Sequence, residues 1–120
     1  MKQFLALYMG TAAARSSAEW DKLDASKRQE IQAKGMQAWM EWGTANAAAI
    51  VDQGAPLGKT KRASKQGIGD FKNAMTGYVI VQAESHAAAA KLFENHPHFS
   101  IFPGDSVEIM ECLPLPPPRE

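Results

Sequence analysis

The chain has 120 residues and a mass of 13.1 kDa, with 45% hydrophobic and 22% charged side chains and 13 basic residues against 13 acidic. That length supports one core, and the charge balance excludes both a disordered polyelectrolyte and a strongly basic nucleic-acid binder. No apolar run reaches the ~18 residues that span a bilayer. Cys112 is the single cysteine, which excludes an internal disulfide or a multi-cysteine metal site and fits a reducing, cytoplasmic compartment.

Lys2 followed by Phe4-Leu5-Ala6-Leu7-Tyr8-Met9 imitates a secretory leader, but Gly10 breaks the run after six residues, short of a leader's apolar region. The segment instead predicts a strand over 2–9 whose near-continuous apolarity calls for cover on both faces. Ser16 with Glu19, and Ser26 with Gln29, have capping-box spacing and predict a short helix and then a long one. From Ser26 to about Asp52 there is no proline, and Ile31, Gly35, Trp39, Trp42, Asn46 and Ile50 recur with the period of one helical face. Met36, Met40, Gly43, Ala47 and Val51 form a second stripe beside it, so a wide buried sector is expected. Gly54 reads as the residue that closes this helix, and Pro56 prevents its resumption.

The stretch from Gly58 to Gly67 differs from its surroundings, with four positive charges on Lys59, Lys61, Arg62 and Lys65 and hardly any large apolar side chain. An exposed strand over 57–64 is expected, alternation placing Lys59 and Lys61 on one face and Thr60 and Arg62 on the other. Gly67, Gly69, Asp70 and Asn73 then signal a loop through about residue 76. Tyr78 to Ala83 is the clearest strand, rich in β-branched and aromatic residues. Ser85 is a good cap for a helix over 86–95 that Pro97 ends. The turn Pro103-Gly104-Asp105 introduces a last strand over 106–113, with Cys112 as a small buried residue in it, and residues 114–120 read as an extended proline-rich tail after a domain of 1–113.

The order β-α-β-β-α-β is the split pattern of a ferredoxin-like α+β sheet with both helices on one face. Its other face keeps apolar side chains that two helices cannot cover, which predicts a homodimer with sheet packed on sheet.

The stretch Gly77-Tyr78-Val79-Ile80-Val81-Gln82-Ala83-Glu84-Ser85, the alanine-rich helix after it, His96-Pro97-His98 and a closing strand introduced by Gly104 resemble the YCII-related domain family. Trp39, Trp42, Asp52, Gly54, Pro56-Leu57-Gly58, Gly67 and Asn73 are similar to that family's N-terminal half, so the resemblance covers nearly the whole chain apart from the tail. It implies a dimeric α+β barrel, and small-molecule chemistry in some relatives by a histidine on the long helix paired with a following aspartate. This chain departs from that pattern. Residues 1–85 contain no histidine, so Gln37, Trp39 or Trp42 stands where the helix histidine would fall, and Gly69-Asp70-Phe71 replaces an aspartate–glycine–proline–phenylalanine signature. His98 is the residue that matches.

An ordinary imidazole titrates near neutrality, which makes His98 the candidate proton-handling group, with Asp70 or Asp52 as its partner. Tyr8, Trp39, Trp42 and Tyr78 are candidate walls of an aromatic pocket, and Lys59 in the basic strand is placed to steer an anionic ligand into it. The plain structural alternatives are a helix-end cap for His98, core packing for the tryptophans and a charge-guarded sheet edge for the basic strand. His96 and His98 share the His-x-His spacing of some metal sites, but His86 alone could add a third nitrogen, so neither metal nor cofactor is expected. The expectation is therefore a homodimer that binds a small anionic or aromatic ligand, with isomerase- or lyase-like acid–base chemistry. The alternative is a non-catalytic ligand-binding or assembly module, and neither nucleic acid nor membrane is an expected partner.

Overall fold

A computed structural model describes residues 1–17 and 19–116. In chain order its elements are β1 (Lys2–Met9), α1 (Ala12–Ser17), a single 3₁₀ turn (Trp20–Lys22), α2 (Ala25–Ala45), β2 (Ile50–Pro56), β3 (Thr60–Ser64), β4 (Gly67–Phe71), β5 (Met75–Ala83), α3 (His86–Lys91), α4 (Pro97–Ser100) and β6 (Ser106–Glu111). The four long strands pair antiparallel in the order β2-β5-β1-β6, the connectivity of a ferredoxin-like sheet, while β3 and β4 pair only with each other. The fold class is α+β, as the element order predicts.

Alternation along β1 buries Phe4, Ala6 and Tyr8 and leaves Leu5, Leu7 and Met9 half-buried on the reverse side. In β5 the buried set is Val79, Val81 and Ala83, and the register Phe4↔Val81, Ala6↔Val79 puts both sets on one face. Trp39 and Trp42 of α2, Ala89 of α3 and Phe93 pack there. Each fully buried side chain of the size of Phe4 or Val81 contributes ~1.5–3 kcal/mol to folding. Leu5, Leu7, Tyr78, Ile80 and Met110 lie on the opposite face, away from that helical packing.

Several boundaries differ from the sequence expectation, each for a physical reason. The long helix ends at Ala45, not near Asp52, because Ile50 and Asp52 pair with Val81 and Ile80 of β5. Ladder bonds to a central strand outweigh a helical period that the alanines at 47–49 would otherwise allow to continue. Gly54 therefore closes no helix. It sits in β2 at φ +67, where a Cβ would run into the Tyr78 carbonyl, and its N–H donates to Asp52 Oδ1 at 2.8 Å. The cap of α2 is Asp24, whose Oδ1 accepts from the Lys27 N–H at 2.8 Å, so Ser26 falls inside the helix. The helix keeps only the stripe of Gly35, Trp39 and Trp42 toward the core, and Met36 and Met40 of the second stripe are 55% and 69% exposed.

The first short helix begins at Ala12, ahead of Ser16. The basic strand is real but stands outside the main sheet, paired to β4 in the segment expected to be a loop. Ser85 does cap α3, its Oγ accepting from the Ala88 N–H at 3.1 Å. Pro97, expected only to end a helix, occupies the first turn of α4, where its missing N–H costs nothing. Cys112 lies past β6 and is exposed, so it is not a core residue. Residues 112–116 carry no regular secondary structure, and the rest of the expected tail lies outside the described residues.

Candidate functional site

The end of β1 meets α4 at a cluster of aromatic and imidazole rings. His96 is fully buried and His98 is 7% exposed. The His96 ring lies 4.5 Å from Trp39, 4.6 Å from Trp42 and 5.1 Å from Tyr8, and the His98 ring lies 5.2 Å from Tyr8. Trp42 is anchored by its indole N–H, which donates to the Leu92 carbonyl at 2.7 Å. On the far side, Phe102 stands 6.0 Å from Trp39 and presses on Gly35, where an added Cβ would come within 2.5 Å of the ring.

The local sequence builds this cluster. A residue before proline is held extended, and His96 has ψ 142, which lets it cap α4 with its ring. His96 Nδ1 accepts from the His98 backbone N–H at 3.0 Å. Nδ1 must then be unprotonated, so the neutral ring carries its proton on Nε2, which faces the Tyr8 hydroxyl at 3.4 Å. His98 is fixed by the same logic. Its Nε2 lies 2.7 Å from the Met9 carbonyl, an acceptor only, so Nε2–H donates and the basic lone pair sits on Nδ1. No buried side-chain nitrogen or oxygen among the described residues lacks a partner, and the His98 ring is bonded through Nε2.

Electrostatics keep both imidazoles neutral. Burial, followed by the neighbouring His98, pushes His96 down to about 4. Burial also lowers His98, against the opposing pull of the Met9 carbonyl and the Asp105 charge. The Tyr8 hydroxyl is held protonated by its burial, well above the ordinary tyrosine value.

Beside His98 lies an open concavity of about 420 Å³ lined by Ala13, Ala14, Phe99, Phe102, Pro103, Gly104 and Asp105. Gly104 packs flat on the His98 ring, with an added Cβ falling 2.5 Å from Nε2, and its N–H donates to the His98 carbonyl at 2.9 Å. Asp105 is tied in by its backbone N–H, which donates to the Met9 carbonyl at 2.9 Å.

The residues singled out from sequence do not all meet. Tyr8, Trp39, Trp42 and His98 come together, but as packed rings around His96. Asp52 lies opposite Ile80, whose neighbours in β5 point to the helices, so its carboxylate is on the other side of the sheet from His98 and accepts from Gly54. Asp70 is on the β3–β4 hairpin, 2.6 Å from Lys61 Nζ. Tyr78 is on the open sheet face, and Lys59 is exposed at the root of the hairpin. The carboxylate whose charge His98 feels is that of Asp105. Sequence reasoning does not select Asp105, Phe102 or the Met9 carbonyl, though Pro103-Gly104-Asp105 marks the turn that delivers three of the lining residues.

No protein-family model and no curated protein matches the chain. Among solved structures, the chain is similar to 5-chloro-2-hydroxyhydroquinone dehydrochlorinase from Burkholderia phenoliruptrix AC1100, in a complex with 2,5-dihydroxybenzoquinone, with a TM-score of 0.53 and 15% identity over 90% of each chain. At that identity the likeness bears on fold alone, and it agrees with the strand order above: the chain has an α+β fold with a ferredoxin-like antiparallel sheet.

Proposed function

We propose that this chain is a small-molecule-binding protein whose open sheet face is covered by a second copy, and that His98 handles a proton at the concavity beside it. The observation that carries the reading is the fixed tautomer of His98: Nε2–H is committed to the Met9 carbonyl, which puts the basic lone pair on Nδ1. A base oriented through one nitrogen, with its lone pair on the other, is the arrangement that general-base catalysis needs. On taking a proton, the imidazolium would keep its bond to Met9 and gain the Asp105 carboxylate as counter-charge. Phe99 and Phe102 favour a planar ring as ligand, and Asp105 offers an acceptor to a ring hydroxyl. The similar structure holds such a molecule, a dihydroxylated quinone, which supports the same ligand class here. Kinship with the YCII-related domain family rests on Gly77–Ser85 and His96-Pro97-His98 and belongs to this reading.

Calorimetric titration with 2,5-dihydroxybenzoquinone and hydroxyhydroquinone tests it. Binding by the wild type, with affinity and any turnover falling as His98 protonates and losing that pH dependence in His98→Gln, is the expected result. Equal affinity and identical pH profiles for the two proteins would exclude His98. A second reading, a binding module without chemistry, is favoured by the filled ring cluster under the concavity. It predicts ligand-dependent stabilisation with no conversion of the ligand.

A further inference from the structure

The β3–β4 hairpin is unsupported by the rest of the chain. Every residue from Lys61 to Asn73 is exposed, and an isolated two-stranded hairpin is marginal in water. Yet it is internally ordered by a Lys61–Asp70 pair directly across the strands and by the Arg62 guanidinium 4.8 Å over the Phe71 ring. Near its tip Ile68 is 79% exposed. Lys59, Lys61, Arg62, Lys65 and Lys72 against Asp70 give residues 57–74 a net charge of +4.

The opposite charge lies on one other stretch. Residues 92–118 contain no lysine or arginine, and Glu94, Asp105, Glu108 and Glu111 give them a net charge of −4. Their strand, β6, is an edge of the sheet, with its Ile109 carbonyl bonded by the His86 ring at 2.7 Å, and Met110 on it is 41% exposed. The hairpin springs from the other edge. Leu57 N–H donates to the Thr76 carbonyl at 2.9 Å, which roots it at β2 and β5, with β1 intervening before β6.

We propose that the hairpin is an arm that docks on a second copy of the chain, its lysines against the β6 carboxylates and Ile68 against the apolar surface at Met110. A twofold axis makes the contact reciprocal, so two arms are neutralised at once. An exposed isoleucine at the tip favours this occupant over a polyanion, which has no apolar surface for it. The inference rests on the second copy of the proposed function, but the two fail separately.

The test is sedimentation velocity on the full chain over a concentration series, in about 50 and about 500 mM salt. Lys59→Glu, Lys65→Glu and Lys72→Glu combined reverse charges that make no ion pair among the described residues, and circular dichroism confirms that the sheet remains folded. A dissociation constant raised roughly a hundredfold, restored to within about tenfold by adding Glu108→Lys and Glu111→Lys, is expected. Weakening without rescue overturns the pairing with β6. A dimer that ignores arm reversal but is broken by Leu7→Lys overturns the arm and leaves the covered sheet face standing, whereas a wild-type monomer overturns both. Retention on heparin that arm reversal abolishes, with the dimer unchanged, assigns the arm to a polyanion and overturns the proposal.

Discussion

Protonating His96 should unfold the cluster, and the size of the effect follows from its surroundings. In the unfolded chain the imidazole takes a proton near its ordinary value of 6.5, while in the fold burial delays this to about 4. Between those values the unfolded state holds more protons, so stability is full above pH 6.5 and declines as pH falls toward 4. A gap of that width corresponds to roughly 3 kcal/mol, a large share of a small domain's ~5–15 kcal/mol. The structural cause is specific. Nδ1 accepts from the His98 N–H, and an imidazolium would set two donors against each other in a fully buried site. His96→Asn separates this from the titration of carboxylates, since asparagine Oδ1 can accept the same bond as an N-cap but cannot take a proton. Urea unfolding from pH 7.5 to 4 at constant ionic strength and protein concentration measures both proteins. The variant should be the less stable at pH 7, where it leaves a cavity, and the gap should close by about 3 kcal/mol as pH falls to 4. Curves that stay parallel over that range would refute the buried neutral imidazole.

Gly54→Ala should cost more than ~3 kcal/mol by the same assay, because its Cβ collides with the Tyr78 backbone at a φ of +67 that side chains disfavour. Trp42→Phe should cost ~1–3 kcal/mol in thermal or urea unfolding, as the Leu92 carbonyl loses its indole donor. Gly104→Ala should displace the His98 ring, and in a ¹⁵N imidazole spectrum the His98 Nε2–H signal should broaden or shift while that of His86, bonded to the Ile109 carbonyl at 2.7 Å, remains. Asp24→Ala should cost ~1 kcal/mol by removing the cap of α2, leaving quinone binding unchanged.

Local chemistry announces some elements in full. The period-two run at 78–83, the unbroken apolar strand at 2–9 and the Ser85 cap need only neighbouring residues, and the structure contains all three. Trp39 and Trp42 were legible as a core stripe for the same reason. His98 was legible as a titratable side chain, but not its state: its tautomer is set by the Met9 carbonyl 89 positions away, and its neutrality comes from burial, against the pull of that carbonyl.

What a single sequence determines here is the α+β class with strands at both ends of the chain and at 78–83, the apolar surplus on the sheet and the basic character of residues 59–72, since each depends on residue type at short spacing. Tertiary structure alone decided where α2 stops, because pairing of Ile50 with Val81 competes with a helix that local propensity would extend to Asp52. It also decided which carboxylate accompanies His98. Asp52 and Asp70 are drawn to a glycine amide and a cross-strand lysine, while the Met9 carbonyl holds both the His98 ring and the Asp105 backbone, a convergence of three chain segments that no local pattern encodes.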